Sequence, residues 1–182
     1  MRTWMRNLGL AMSLGAISLP LMAANTYSPV EMSPLAAKIR KELVTLPFYS
    51  IFDHFTYELN GSKVVLRGEV TRPTLKSSAE RVVARIEGVT EVENDIEVLP
   101  LSNFDNQIRR GILRSVYGHP VLNRYGLQSV GPIHIIVKNG DVTLEGVVLN
   151  EMERNIAGIQ ANSVPGVFSV ANNLRVENPK RG

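Results

Sequence analysis

The sequence predicts an α+β chain of two tandem αββαβ domains, each a small three-stranded mixed sheet packed by two helices. Three observations lead there. Residues 64 to 98 lie over residues 142 to 176 without a gap, with ten identical pairs, among them Val64/Val142, Leu66/Leu144, Gly68/Gly146, Val70/Val148 and Asn94/Asn172. Within each copy, stretches that alternate with period two stand between stretches of helical period. Helix start and stop residues recur at matching places.

The elements follow in order. Residues 1–24 read as a signal peptide: Arg2 and Arg6, then the apolar "LGLAMSLGAISLPLMA", then small residues, with cleavage expected after Ala23 or Ala24. A retained membrane anchor is the competing reading, but the apolar run is about 16 residues where a spanning helix needs roughly 20. Residues 25–32 form an N-terminal segment, and the first domain is expected over 33–99. Ser33 caps its first helix and Pro34 takes the first helical position. Leu35, Ile39, Leu43 and Leu46 make the apolar stripe, and Pro47 stops the helix. "HFTYEL" and "VVLRGEV" form a hairpin across "NGSK". Pro73 opens a second helix with Leu75, Ala79, Val82, Val83 and Ile86 on one face, Gly88 ends it, and "VTEVENDIEV" is the third strand.

A linker at 100–102 leads to the second domain, expected over 103–177, with a tail at 178–182. So short a linker keeps the two units adjacent, and units of this size gain from packing on one another. Ser102 caps the third helix with Asp105 three residues on, close to a capping box. "IHIIVK" and "VTLEGVV" repeat the hairpin, Asn150 caps the fourth helix with Glu153 at its third position, Gly166 ends it, and "VFSVANNLRV" is the last strand. The first helices align through "IRKELV" and "IRRGIL" at a shift shorter by nine, so the second copy carries about nine extra residues around His119 to Gln128.

Composition narrows the function. The 182 residues are 44% hydrophobic and 20% charged, a globular balance, and include no cysteine, which removes disulfides, thiolate metal sites and cysteine nucleophiles. Residues 25 to 100 hold nine basic and eleven acidic residues, and residues 101 to 182 hold nine basic and six acidic. The chain without its leader is nearly neutral, a poor candidate for nucleic-acid binding, and its second half is the part an anionic surface would attract. No G-x-S-x-G elbow, phosphate loop or H-E-x-x-H is present. His54, His119 and His134 have neither metal-ligand spacing nor an acidic cluster beside them, so they read as surface or edge histidines. The expectation is therefore no catalytic residue, no metal and no cofactor. Gly68 and Gly146 read as inward strand positions where another element approaches closely. Asn94 and Asn172 read as buried amides that pin the neighbouring turn.

The pattern Val64-Leu66-Gly68-Val70 with Gly88-Val89-Val92-Asn94-Ile96-Val98, repeated as Val142-Leu144-Gly146-Val148 with Gly166-Val167-Val170-Asn172-Leu174-Val176, resembles the BON domain. The resemblance covers nearly all of the chain after the leader. It implies small αββαβ units, an envelope location in diderm bacteria and a role in binding phospholipid or supporting envelope integrity. It brings no catalytic residues.

Function is better sought where the copies part. In the fourth helix Ala157, Ala161 and Val164 keep the core positions, while Glu153 and Gln160 replace Leu75 and Val82. Met152, Ile156 and Ile159 form a second stripe about 100° round the helix. Two readings are open: the helix has rotated or packs on the first domain, which is preferred, or the stripe is exposed and meets lipid or protein. In the exposed case the stripe, with Arg154 and the Arg109, Arg110 and Arg114 helix, suits a membrane interface. The leading expectation is a non-enzymatic, exported, periplasmic protein that binds anionic phospholipid or envelope components. The alternative is a protein-interaction module, an envelope stress chaperone or an adaptor of a transport or secretion assembly.

Overall fold

A computed structural model describes residues 33–177. The expected signal peptide, the segment 25–32 and the tail 178–182 lie outside the described residues. The first domain runs α1 (Pro34–Val44), β1 (His54–Asn60), β2 (Lys63–Val70), α2 (Pro73–Val83), β3 (Glu91–Asn94) and β4 (Glu97–Val98). The second runs α3 (Asn103–Tyr117), a 3-10 helix (Asn123–Leu127), β5 (Ile133–Lys138), β6 (Asp141–Val148), α4 (Glu151–Asn162), β7 (Ser169–Asn172) and β8 (Arg175–Val176). The class is α+β, as expected.

Each sheet is mixed. β1 is antiparallel to β2, and β3 and β4 pair with β2 in parallel. β5, β6, β7 and β8 repeat the arrangement. The third strand expected in each domain is broken in two, and the asparagine is the cause. Asn94 donates to the Lys76 carbonyl on α2 at 3.0 Å and accepts from Ile96 N–H at 3.3 Å. Asn172 donates to the Arg154 carbonyl on α4 at 2.7 Å and accepts from Leu174 N–H at 3.3 Å. A side chain that takes the backbone's partners turns the chain out of the ladder and ties the sheet to the helix.

Gly68 and Gly146 explain the other shared motif. Their φ angles are +116° and +127°, and a Cβ would lie 2.1 Å from the His54 carbonyl oxygen and 1.9 Å from that of Pro132. Only glycine lets the neighbouring strand come so close. The helix ends differ from expectation. α2 stops at Val83, because Arg85 and Ile86 donate to the Val82 and Val83 carbonyls three residues back, tightening the last turn. Gly88 sits beyond it in the following turn, and Gly166 holds the same place after α4.

Two cores result. Ile39, Leu43, Leu66, Leu75 and Ile96 fill the first, and Ile108, Ile112, Leu122, Ile135 and Leu144 the second. The domains touch through more than the linker. Ile51 and Phe52, first-domain residues by sequence, pack against the second core, and the Ile51 carbonyl accepts from Ile135 N–H at 2.7 Å. Lys138 on β5 pairs with Glu97 on β4 at 2.6 Å.

Candidate functional site

The fourth helix has not rotated. Glu153, Ala157 and Ala161 all face the interior, and Glu153 is only 2% exposed. The preferred reading of the second stripe is therefore corrected. Met152 and Ile159 are 58% and 64% exposed, and Ile156 alone is half-buried against the core. The helix kept its inherited face because that face still buries Ala157 and Ala161, while Glu153 found partners in place of apolar neighbours.

Those partners come from the extra segment. Arg124 and Tyr125 both donate to the Glu153 carboxylate. Leu149 N–H donates to it at 3.1 Å and Asn150 Nδ2 at 3.1 Å, while Asn150 Oδ1 accepts from Glu153 N–H at 2.9 Å. A buried carboxylate with four donors is a satisfied structural anion. Sequence reasoning saw Asn150 and Glu153 as a helix cap but missed Arg124 and Tyr125. The signal was present: a core apolar position turned acidic in the same copy that gained residues.

Asp105 is a second buried carboxylate that the sequence misassigns. Ser102 Oγ accepts from Asp105 N–H at 3.1 Å, half of a capping box. The Asp105 carboxylate does not return to the cap. It accepts from the N–H groups of Asn139 and Gly140 at 3.0 Å and 2.9 Å, fastening α3 to the β5–β6 turn. Asn139 and Gly140 have φ of +55° and +87°, so the turn presents both N–H groups.

The arginines divide. Arg109 is 4% exposed and donates to the Val137 carbonyl and to Asn106, so it is withdrawn from the candidate surface. It lies one position from the inward Ile108, on the sheet side of α3. Arg110 and Arg114 are exposed and have no ion-pair partner among the described residues. Arg154 pairs with Glu151 at 3.3 Å. Its backbone meets Asn172 on the β7 side of α4, so it does not flank the stripe. α3 and α4 are joined by Ser115 Oγ donating to the Gln160 carbonyl at 3.1 Å. At 100° per residue, Ile156, Met152 and Ile159 run from that α3-facing side towards solvent. Of the seven residues expected at a lipid or partner surface, Met152, Ile159, Arg110 and Arg114 remain exposed on the outer sides of this helix pair.

His54 and His134 stand on the edge strands β1 and β5, as expected, but they are half-buried rather than on the open surface. His54 and His134 meet across the domain junction with ring centroids 5.4 Å apart, and the Nδ1 of each is buried without a partner. Burial and the neighbouring His54 press the His134 pKa down to about 4, with the backbone of Asp53 and Ser50 opposing. Burial and Arg175 lower that of His54. On the acidic part of the junction, burial and the charges of Glu145 and Glu97 raise the Glu69 pKa. Among the described residues no three His, Asp or Glu gather closely enough to hold a metal, and no helix is long and apolar enough to cross a membrane.

The chain is similar to a protein of Anaplasma centrale described as an uncharacterized protein in the gshII 5' region, 28% identical over 160 residues, 83% of this chain and 98% of that one. Among solved structures it is matched to the C-terminal domain of CdsD, a structural protein of the Type III secretion system of Chlamydia trachomatis, at 12% identity. That match covers 82% of this chain and 100% of the other with a TM-score of 0.29. A second CdsD structure matches at 13% identity over 80% and 93% of the two chains, with a TM-score of 0.28. The family model of the BON domain matches residues 33–100 and 120–178, the second match starting after α3. With two such units over most of its length, the chain belongs to the BON-domain family.

Proposed function

We propose that this chain is a non-enzymatic, envelope-associated module whose second domain docks on an anionic phospholipid surface through the outer sides of α3 and α4. One observation carries the reading: Met152 and Ile159 stand exposed on the helix that packs beside α3, and α3 presents Arg110 and Arg114 with no carboxylate partner among the described residues. Apolar side chains that enter the headgroup boundary, next to guanidinium groups that meet phosphates, are the parts an interfacial surface needs. The net positive charge of the second half supports it. Family membership and the export-type leader fit a periplasmic place at the envelope.

Flotation of the chain with vesicles, with and without anionic lipid and over a salt series, tests the reading. Binding should require anionic lipid and fall as salt rises. The pair Met152→Ser and Ile159→Ser should abolish flotation with the melting temperature nearly unchanged, since both side chains are largely in water. Undiminished flotation of that variant would sink the reading.

A further inference from the structure

The junction between the two domains holds two clefts of opposite character. One, of about 300 Å³, is acidic: Glu69, Glu97 and Asp141 line it, with Lys138 already bonded to Glu97. The other, of about 500 Å³, lies between α1, β1, the start of β5, the end of β6 and β8. Among the described residues its charged lining is Arg40 from the first domain and Arg175 from the second. Both are exposed, and neither has an ion-pair or hydrogen-bond partner among the described residues.

The walls of this cleft are apolar and aromatic. Tyr49 stacks on Phe55 with centroids 5.2 Å apart, and Leu43 and Val44 of α1 adjoin them. His54 and His134 complete the lining, each with a buried Nδ1 that has no partner among the described residues. Glu145 lies 4.0 Å from His54 Nε2, but it is engaged by Asn173 Nδ2 and does not line the cleft. The volume is that of a small-ligand site, which pairs apolar walls with a few polar groups. Two guanidinium groups with no partner among the described residues suit phosphate, whose oxygens accept their fork of donors. Unpartnered buried nitrogens in the wall mark a site whose polar complement is incomplete in the free chain.

We propose that this cleft binds a phosphate-bearing amphiphile with a single apolar chain, with Arg40 and Arg175 supplying the countercharge and Tyr49, Phe55 and Leu43 covering the start of the chain. Each domain contributes one arginine, so a lone domain has half a site, and occupancy ties the two domains together. The site is separate from the outer sides of α3 and α4 and stands or falls apart from them.

Calorimetric titration of the full chain tests it with three probes: a monoacyl glycerol phosphate below its micelle concentration, inorganic phosphate, and the uncharged monoacylglycerol. The expected result is saturable binding of the first, with one ligand per chain, and at least about tenfold weaker binding of the other two. Arg40→Gln and Arg175→Gln should each weaken binding at least about tenfold with unchanged melting temperature, because both side chains are exposed. Arg81→Gln, at an exposed arginine of α2 that belongs neither to the cleft nor to the α3–α4 surface, should bind like the parent. Equal affinity for inorganic phosphate would overturn the apolar half of the site. Retained binding in the Arg40 and Arg175 variants, or loss in the Arg81 variant, would overturn the assignment to this cleft.

Discussion

The backbone N–H just after the second strand of each domain meets a buried carboxylate, but the two domains bring that carboxylate from different places. In the first domain Thr71 N–H and its hydroxyl donate to Asp53, which lies ahead of β1 and also accepts from Ser50. In the second domain Leu149 N–H donates to Tyr125 Oη at 3.0 Å and to Glu153 at 3.1 Å. Glu153 stands where the first domain has Leu75, and Gly131 where it has Asp53. The backbone group had to be satisfied in both copies, because an orphaned donor at this depth costs about 1–3 kcal/mol. A core leucine gave way to an acid only in the copy whose added segment supplies Arg124 and Tyr125. The acid, its two partners and the insertion form one unit of divergence.

The comparison breaks most visibly where the domains should behave alike. Gly68→Ala and Gly146→Ala should each destabilise by more than about 4 kcal/mol, since a Cβ meets a backbone carbonyl oxygen and the φ is positive. Denaturant unfolding measures this. A mild effect in either domain would mean that the close strand approach is not a constraint shared by the two copies.

Where the domains differ, the expected losses are similar in size but not in origin. Leu75→Ala removes a fully buried leucine and should cost about 2–5 kcal/mol through transfer and cavity. Glu153→Ala leaves the buried Tyr125 hydroxyl without its acceptor and Leu149 N–H with Tyr125 Oη alone, and should cost about 1–3 kcal/mol. The decisive measurement is the cycle of Glu153→Ala with Tyr125→Phe, expected to depart from additivity by about 1–2 kcal/mol. Strict additivity would separate the insertion from the acid and undo the unit argued above.

How much of this was legible in the sequence depends on the range of the interaction. Helix caps at Ser33, Ser102 and Asn150, the two hairpins and the alternation of the strands are local, and local patterns read directly. The internal repeat exposed which positions matter to the scaffold, and Gly68, Gly146, Asn94 and Asn172 behave accordingly. Burial of Arg109 was not legible, because a helical arginine reads as solvated until the sheet behind it is placed and the Val137 carbonyl is found within reach. The orientation of α4 was misread for a related reason: an acid on an inward face looks like evidence of rotation unless its distant partners are known. The histidine pair required the docking of two domains, which no spacing within one copy encodes.

That pair carries the sharpest test of the junction. His134 is held neutral by burial and by His54, its pKa near 4, against about 6.5 in the unfolded chain. Asp53 favours its charged form, while Arg175 disfavours that of His54, with Glu145 and Tyr49 the other facing groups. As pH falls, the unfolded chain takes the proton first, so this stability is present above about pH 6.5 and drains away towards pH 4. Between pH 7 and pH 5 the loss from His134 should be about 2 kcal/mol. His54 adds a loss in the same direction. His134→Gln should flatten the dependence of stability on pH by about that amount, measured by urea unfolding at pH 7, 6 and 5. A variant that keeps the parent slope would show that the junction opens before the rings must give up their neutrality. The domains would then be joined by Ile51, Phe52 and the Lys138–Glu97 pair more loosely than those contacts imply.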